Sequence, residues 1–116
     1  MLSDYIWNQL APATVAFENI SRHEIESGIE SGDFQLFMSE NSAAVTCPFG
    51  KSLRIGLAGG DLNELLDIEK DICDYARSHG FDSLEIIGRP GWERVLDGYR
   101  RTAVLLRKEL DCHGLH

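Results

Sequence analysis

No apolar run in this chain approaches the roughly 20 residues needed to span a bilayer. The opening MLSDYIWNQL carries no basic stretch ahead of an apolar one. Neither membrane anchoring nor a secretory leader is therefore expected, and no membrane partner. Cysteines are few: Cys47, Cys73 and Cys112 are odd in number and widely spaced, which argues against a disulfide framework and for a reducing, intracellular setting. Basic charge is also short. Eleven Lys and Arg against nineteen Asp and Glu leave a net charge of -8, and residues 1–60 (three basic, seven acidic) and 61–116 (eight and twelve) each carry -4. Without a basic tail or stripe, no nucleic-acid partner is expected. Low-complexity segments are absent too, so a disordered chain is not expected.

What is present is an ordinary globular composition, 43% hydrophobic and 26% charged over 116 residues, enough for one core and one domain, 1–116. Ser3 caps a short helix carrying Tyr5, Ile6, Trp7 and Leu10, which Pro12 interrupts or restarts. Ser21 with Glu24 three residues on forms a capping box for a second helix, stopped at Gly32. FQLFMS and AAVTCP, separated by ENS, read as a hairpin, and SLRIGLA follows as a third antiparallel strand. Residues 62–79 give the strongest helical pattern, with Leu62, Leu65, Leu66, Ile72, Cys73 and Ala76 at three- and four-residue spacing and Gly80 as the stop. SLEIIG is then a strand, PGWERVL a short helix and YRRTAVLLRKEL a closing strand. The strand–helix–strand unit over 53–88 has the length of a parallel crossover. The expected class is α+β with a mixed sheet, in the order α-α-β-β-β-α-β-α-β.

The junction LRIGLAGGDLNELL is the natural place to look for a ligand, since a glycine pair leading into a helix start is a common phosphate cradle. Asp61 followed by Glu64, however, reads as a second capping box, which puts the protein's own carboxylate where a phosphate would sit. Gly59 and Gly60 are accordingly expected to turn the chain and do no more. In GRPGWER, Arg89, Trp92 and Arg94 have the composition of an interaction hot spot. Arg100, Arg101, Arg107 and Lys108 alternate between the two faces of a strand and make no single patch. Cys112, His113 and His116 lack a partnering pair elsewhere, and His23 and His79 stand alone, so no metal site and no acid–base pair is nominated. No Gly-x-Ser-x-Gly turn supports a hydrolase.

This order of elements, together with GLAGG, GRPGW and RVLDGYRRTAVLLRKEL, resembles the GNAT family of N-acetyltransferases without its first strand, over about Trp7 to Leu110. The closer likeness is to small bacteriophage or prophage GNAT-like proteins. The resemblance implies a truncated GNAT-like fold and an acetyl-CoA site at the 53–66 junction. That family's pyrophosphate loop has Arg or Gln, two residues, Gly, one residue, then Gly or Ala. Here Arg54 is followed by Gly56, Gly59 and Gly60, so the spacing departs from it. The family's acid tyrosine, five residues before the aromatic of the Gly-aromatic pair, falls on Arg94 when counted from Tyr99, and a guanidinium does not release a proton near neutrality. No catalytic residue and no cofactor are therefore assigned, and the expectation is a non-catalytic, virion-associated or host-interaction protein in the host cytoplasm or the virion. One alternative is an acetyltransferase with an atypical acetyl-CoA site at Leu57, Ala58, Gly60, Asp61 and Leu62. A second is a small homodimeric scaffold burying Trp7, Phe34 and Phe37 in its partner.

Overall fold

The computed structural model describes residues 2–17, 20–87, 92–102, 106, 108 and 110. Helix α1 (Asp4–Leu10) runs into a 3-10 segment, Ala11–Phe17, and is followed by α2 (Arg22–Ser31). The Ser3 hydroxyl accepts from the Ile6 N–H, and Ser21 and Glu24 exchange bonds reciprocally. Gly32, at φ 89°, ends α2 in the left-handed conformation that glycine adopts without a side-chain penalty. Strands β1 (Gln35–Met38), β2 (Ala43–Phe49) and β3 (Ser52–Gly59) form the expected antiparallel meander. Then α3 (Leu62–Ser78) crosses over to β4 (Ser83–Ile86), which pairs parallel with β3, and α4 (Trp92–Val95) follows.

The result is a mixed α+β domain with a four-stranded sheet in the order β1-β2-β3-β4. Its two faces carry separate cores. Leu2, which precedes α1, packs with Ile6, Leu10 and Ile25 of the first two helices on Ala43, Val45 and Leu57. Leu65, Ile68, Ile72 and Ala76 of α3 pack on Ala44, Leu53 and Ile55 of the other face. Strict alternation would put Leu57 beside Leu53 and Ile55. A register shift moves it, because Val45 pairs with Leu57 whereas Thr46 pairs with Ile55, which leaves Gly56 without a partner on β2. This bulge exchanges the faces of β3 halfway along and lets one strand serve both cores.

Two expectations change. Trp7, Phe34 and Phe37 do not stand free for a partner. Trp7 and Phe34 pack on the α1/α2 core and Phe37 on the α3 core, edge-on to Tyr75 at 5.5 Å. Apolar side chains that are exposed include Tyr5, Met38 and Phe49, the last lying under the Arg54 guanidinium at 3.9 Å. The expected closing strand over 99–110 also takes no part in the sheet where it is described: residues 99–102, 106, 108 and 110 carry no strand, and 103–105, 107 and 109 lie outside the described residues. Among the described residues no helix is long and apolar enough to cross a membrane.

Candidate functional site

The glycine junction sits at a corner where four segments meet. β3 continues to Gly59, but its pairing with β4 ends at Ile55 and Ile86. Beyond that point the β4 side of Gly56–Gly59 has no strand neighbour among the described residues, while Leu57 and Ala58 remain paired to Val45 and Ala44 on the other side. The Leu57 side chain is buried in the α1/α2 core and Ala58 packs toward α3. The Gln9 carbonyl comes so close to Gly59 that a Cβ there would overlap it. Gly60, at φ 126°, is equally restricted, since a Cβ would overlap the Asn41 carbonyl oxygen and the Ser42 hydroxyl. Both glycines are thus required by close approach, and Gly60 also by its backbone conformation.

Two N–H groups at the start of α3, those of Asp61 and Glu64, are taken by the protein's own side chains. The Asp61 carboxylate accepts from the Glu64 N–H at 3.1 Å, as the sequence pattern predicts. The return half of the expected capping box is not made. The Asp61 N–H donates instead to the buried Ser42 hydroxyl at 2.8 Å. The Glu64 carboxylate turns to the β1–β2 turn, where it accepts from the Ser39 hydroxyl, from the Asn41 N–H at 2.9 Å and from the Asn41 side-chain amide at 3.1 Å. The Asn41 side-chain carbonyl takes a further bond from Tyr5 of α1 at 2.6 Å. One turn therefore joins α1, β1, β2 and α3. The donors, Ser39 foremost and then Asn41, hold the Glu64 carboxyl at about 2, below its ordinary 4.5. A carboxylate with several donors stays ionised, and beside Asp61 it places two negative groups at the electropositive end of α3.

Of the residues nominated for an atypical cofactor site, Leu57, Ala58, Gly60, Asp61 and Leu62 do fall together at this corner, with Gly60, Asp61 and Leu62 at the surface. The nominated interaction surface is less fully seen. Arg94 is exposed on α4, Arg89 lies outside the described residues, and for Trp92 only the helical backbone is described. Cys112, His113 and His116 also lie outside the described residues, and no group of three or more His, Cys, Asp or Glu is placed to hold a metal among those described. His79 stacks on Tyr75 at 3.9 Å, and His23 is exposed.

The sequence carries no warning of Ser39, Asn41 and Ser42 as ligands of the α3 start, because ENS and its neighbours read only as turn formers. It also carries none of a second cluster on α3. There the Tyr99 hydroxyl donates to Glu69 at 2.8 Å, and Cys73 donates to the same oxygen at 3.2 Å. Burial foremost, with the Glu69 contact, pushes the Tyr99 hydroxyl well above its ordinary range and the Cys73 thiol up to about 11. Both side chains are protonated donors near neutral pH, so neither offers a nucleophile or a base. Compared with family models, with curated proteins and with solved structures, the chain finds no match in any of the three.

Proposed function

We propose that this protein is a non-catalytic, GNAT-like interaction domain of the bacteriophage or prophage kind, acting as a virion-associated or host-interaction component. The observation that supports this reading is the occupied start of α3: the Asp61 N–H is bound to Ser42, the Glu64 N–H to Asp61, and two carboxylates stand where a diphosphate would lie. A coenzyme phosphate would meet like charge there, and two of the N–H donors of the helix start, those of Asp61 and Glu64, are already taken. Arg94, at the position of the family's acid tyrosine, supports it further. Titration with acetyl-CoA and CoA, by calorimetry and by thermal shift, tests the reading. No stabilisation at about 1 mM ligand is expected, and micromolar affinity would overturn it.

One observation favours a second reading, an acyl-CoA-dependent N-acetyltransferase with an atypical site. Main-chain groups of Gly56–Gly59 on the side toward β4 have no strand partner among the described residues, which is the kind of edge an extended pantetheine arm can pair with. The same titration decides between the two, with Ala58→Pro as the discriminating variant. Loss of coenzyme affinity in that variant, with the fold kept, would establish the edge as the binding element.

A further inference from the structure

We propose that residues 94–100 form a strap that closes over one flank of α3, latched there by Tyr99 on Glu69, and that its opening releases the Cys73 thiol held on the same carboxylate. The strap stands apart from the glycine junction. Three observations carry it.

First, the segment rests on two side chains. Of residues 94–100, Leu96 is buried and Tyr99 partly buried, while Arg94, Val95, Asp97, Gly98 and Arg100 are exposed. α4 is a single turn of four residues, too short to hold a helix by its own hydrogen bonds. The segment keeps its place through Leu96 and Tyr99, and an element with so few anchors opens locally at a free energy well below that of the whole fold. Between the two anchors Gly98 stands at φ 83°, and a Cβ placed on it would meet nothing within 4 Å among the described residues. Glycine makes that bend freely and any other residue makes it with strain, which is the property of a hinge.

Second, the latch and the thiol meet at one atom. α3 sets Glu69 and Cys73 one turn apart, so their side chains lie on the same face. Each follows a residue of the buried stripe, Ile68 and Ile72, and so lines its edge. The Tyr99 hydroxyl donates to Glu69 Oε2 at 2.8 Å, and the Cys73 thiol donates to the same oxygen at 3.2 Å. A hydroxyl bonded to a carboxylate is a charge-assisted contact, about twice as strong as a neutral one. It joins residues 30 apart in the chain, so it is a tertiary latch and not a feature of α3 alone.

Third, the closed strap keeps the thiol unreactive. The thiolate, not the thiol, is the nucleophile. With the strap closed, Cys73 is partly buried and its proton is held on Glu69, whose charge opposes the thiolate. With the strap open, water reaches Glu69 and Cys73 together and both restraints fall away. Cys73 then reacts as an ordinary surface thiol of a helix. Its reactivity therefore reports how often the strap is open.

Alkylation of the full chain by iodoacetamide at about pH 7.5, read residue by residue by peptide mass spectrometry in a Cys112→Ser background, tests the proposal. Cys47 is the internal control, since it sits in the β2–β3 ladder opposite Arg54 and reports loosening of the sheet. Tyr99→Phe keeps the ring and removes the latch, and is expected to speed Cys73 about tenfold while Cys47 changes by less than about twofold. Gly98→Ala strains the closed strap without touching the hydroxyl, and is expected to speed Cys73 roughly fivefold. A Cys73 rate left unchanged by either variant overturns the proposal. So does an equal acceleration of Cys73 and Cys47, which would mean that the whole fold has loosened. Either failure leaves the coenzyme titration, and hence the reading as a non-catalytic interaction domain, standing on its own result.

Discussion

The starts of α2 and α3 share one arrangement, a short polar N-cap with Glu three residues on, Ser21 with Glu24 and Asp61 with Glu64. At α2 both halves stay local: Ser21 accepts from the Glu24 N–H, and Glu24 reaches back to the Ser21 N–H at 3.2 Å. At α3 the cap accepts from the Glu64 N–H, but the glutamate leaves and the N-cap N–H is taken by Ser42. The surroundings account for the difference. Ser21 and Glu24 are exposed, so water is the competitor and the local bond wins. At α3 the β1–β2 turn brings three donors to Glu64 and a buried acceptor to Asp61, and several bonds to a carboxylate outweigh one. The same pattern thus terminates a helix in one place and fastens a loop to a helix in the other. Only the second lies at the glycine junction, where it sets two carboxylates at the start of α3.

The sharpest way to break that contrast is to separate the turn from α3. Gly60→Ala forces a side chain into the Asn41 carbonyl and Ser42 hydroxyl at a φ of 126°. Overpacking and backbone strain together are expected to cost about 3 kcal/mol. The measurement is thermal unfolding, in which a loss of that size lowers the midpoint by about 15 °C in a domain of this length. Gly32→Ala, at φ 89° but with open space around it, is the control for strain without overlap. If the two variants melt together, the closeness of the turn to α3 has no energetic weight.

A smaller effect is expected from Glu64, and it depends on pH. Its carboxyl is at about 2 in the fold against an ordinary 4.5. The unfolded chain therefore binds the proton first on acidification, and the stabilisation is complete above about 4.5 and lost as pH falls toward 2. Glu26, lowered mainly by the Leu2 N–H, contributes to the same acid limb. Glu64→Gln is expected to be less stable than the wild type at pH 7 and to converge on it by about pH 2. Stability measured by urea unfolding across that range checks this, and parallel curves at all pH values would show that the network adds nothing beyond the capping bond.

Much of this architecture was legible in the sequence because it is written in local patterns. Ser3, Ser21, Gly32, the ENS turn and the periodicity of 62–79 act over one or two turns of chain, and each element they mark is observed. The bulge at Gly56 was not legible. A lone glycine in a strand does not say where its partner slips, and only the pairing of Val45 with Leu57 beside Thr46 with Ile55 does. The same holds for the candidate site. Asp61 as a cap was visible, whereas the capture of Glu64 by Ser39 and Asn41 spans 25 and 23 residues. Trp7, Phe34 and Phe37 illustrate the opposite error, since their bulk suggested an exposed patch while the two faces of the sheet give each a place in its own core.

The smallest effects are expected at α2, where they measure what a capping box is worth without tertiary help. Ser21→Ala removes the acceptor for the Glu24 N–H, at a cost of about 1 kcal/mol. Glu24→Gln keeps a group able to accept from the Ser21 N–H but removes the charge, and is expected to cost a few tenths of a kcal/mol because the site is open to solvent. A double-mutant cycle on Ser21 and Glu24 would then return a coupling below about 0.5 kcal/mol, whereas the corresponding cycle on Asn41 and Glu64 would return a larger one. Equal couplings would mean that the turn at α3 adds no more than a local cap does. The filled corner would then owe its closure to the glycines alone.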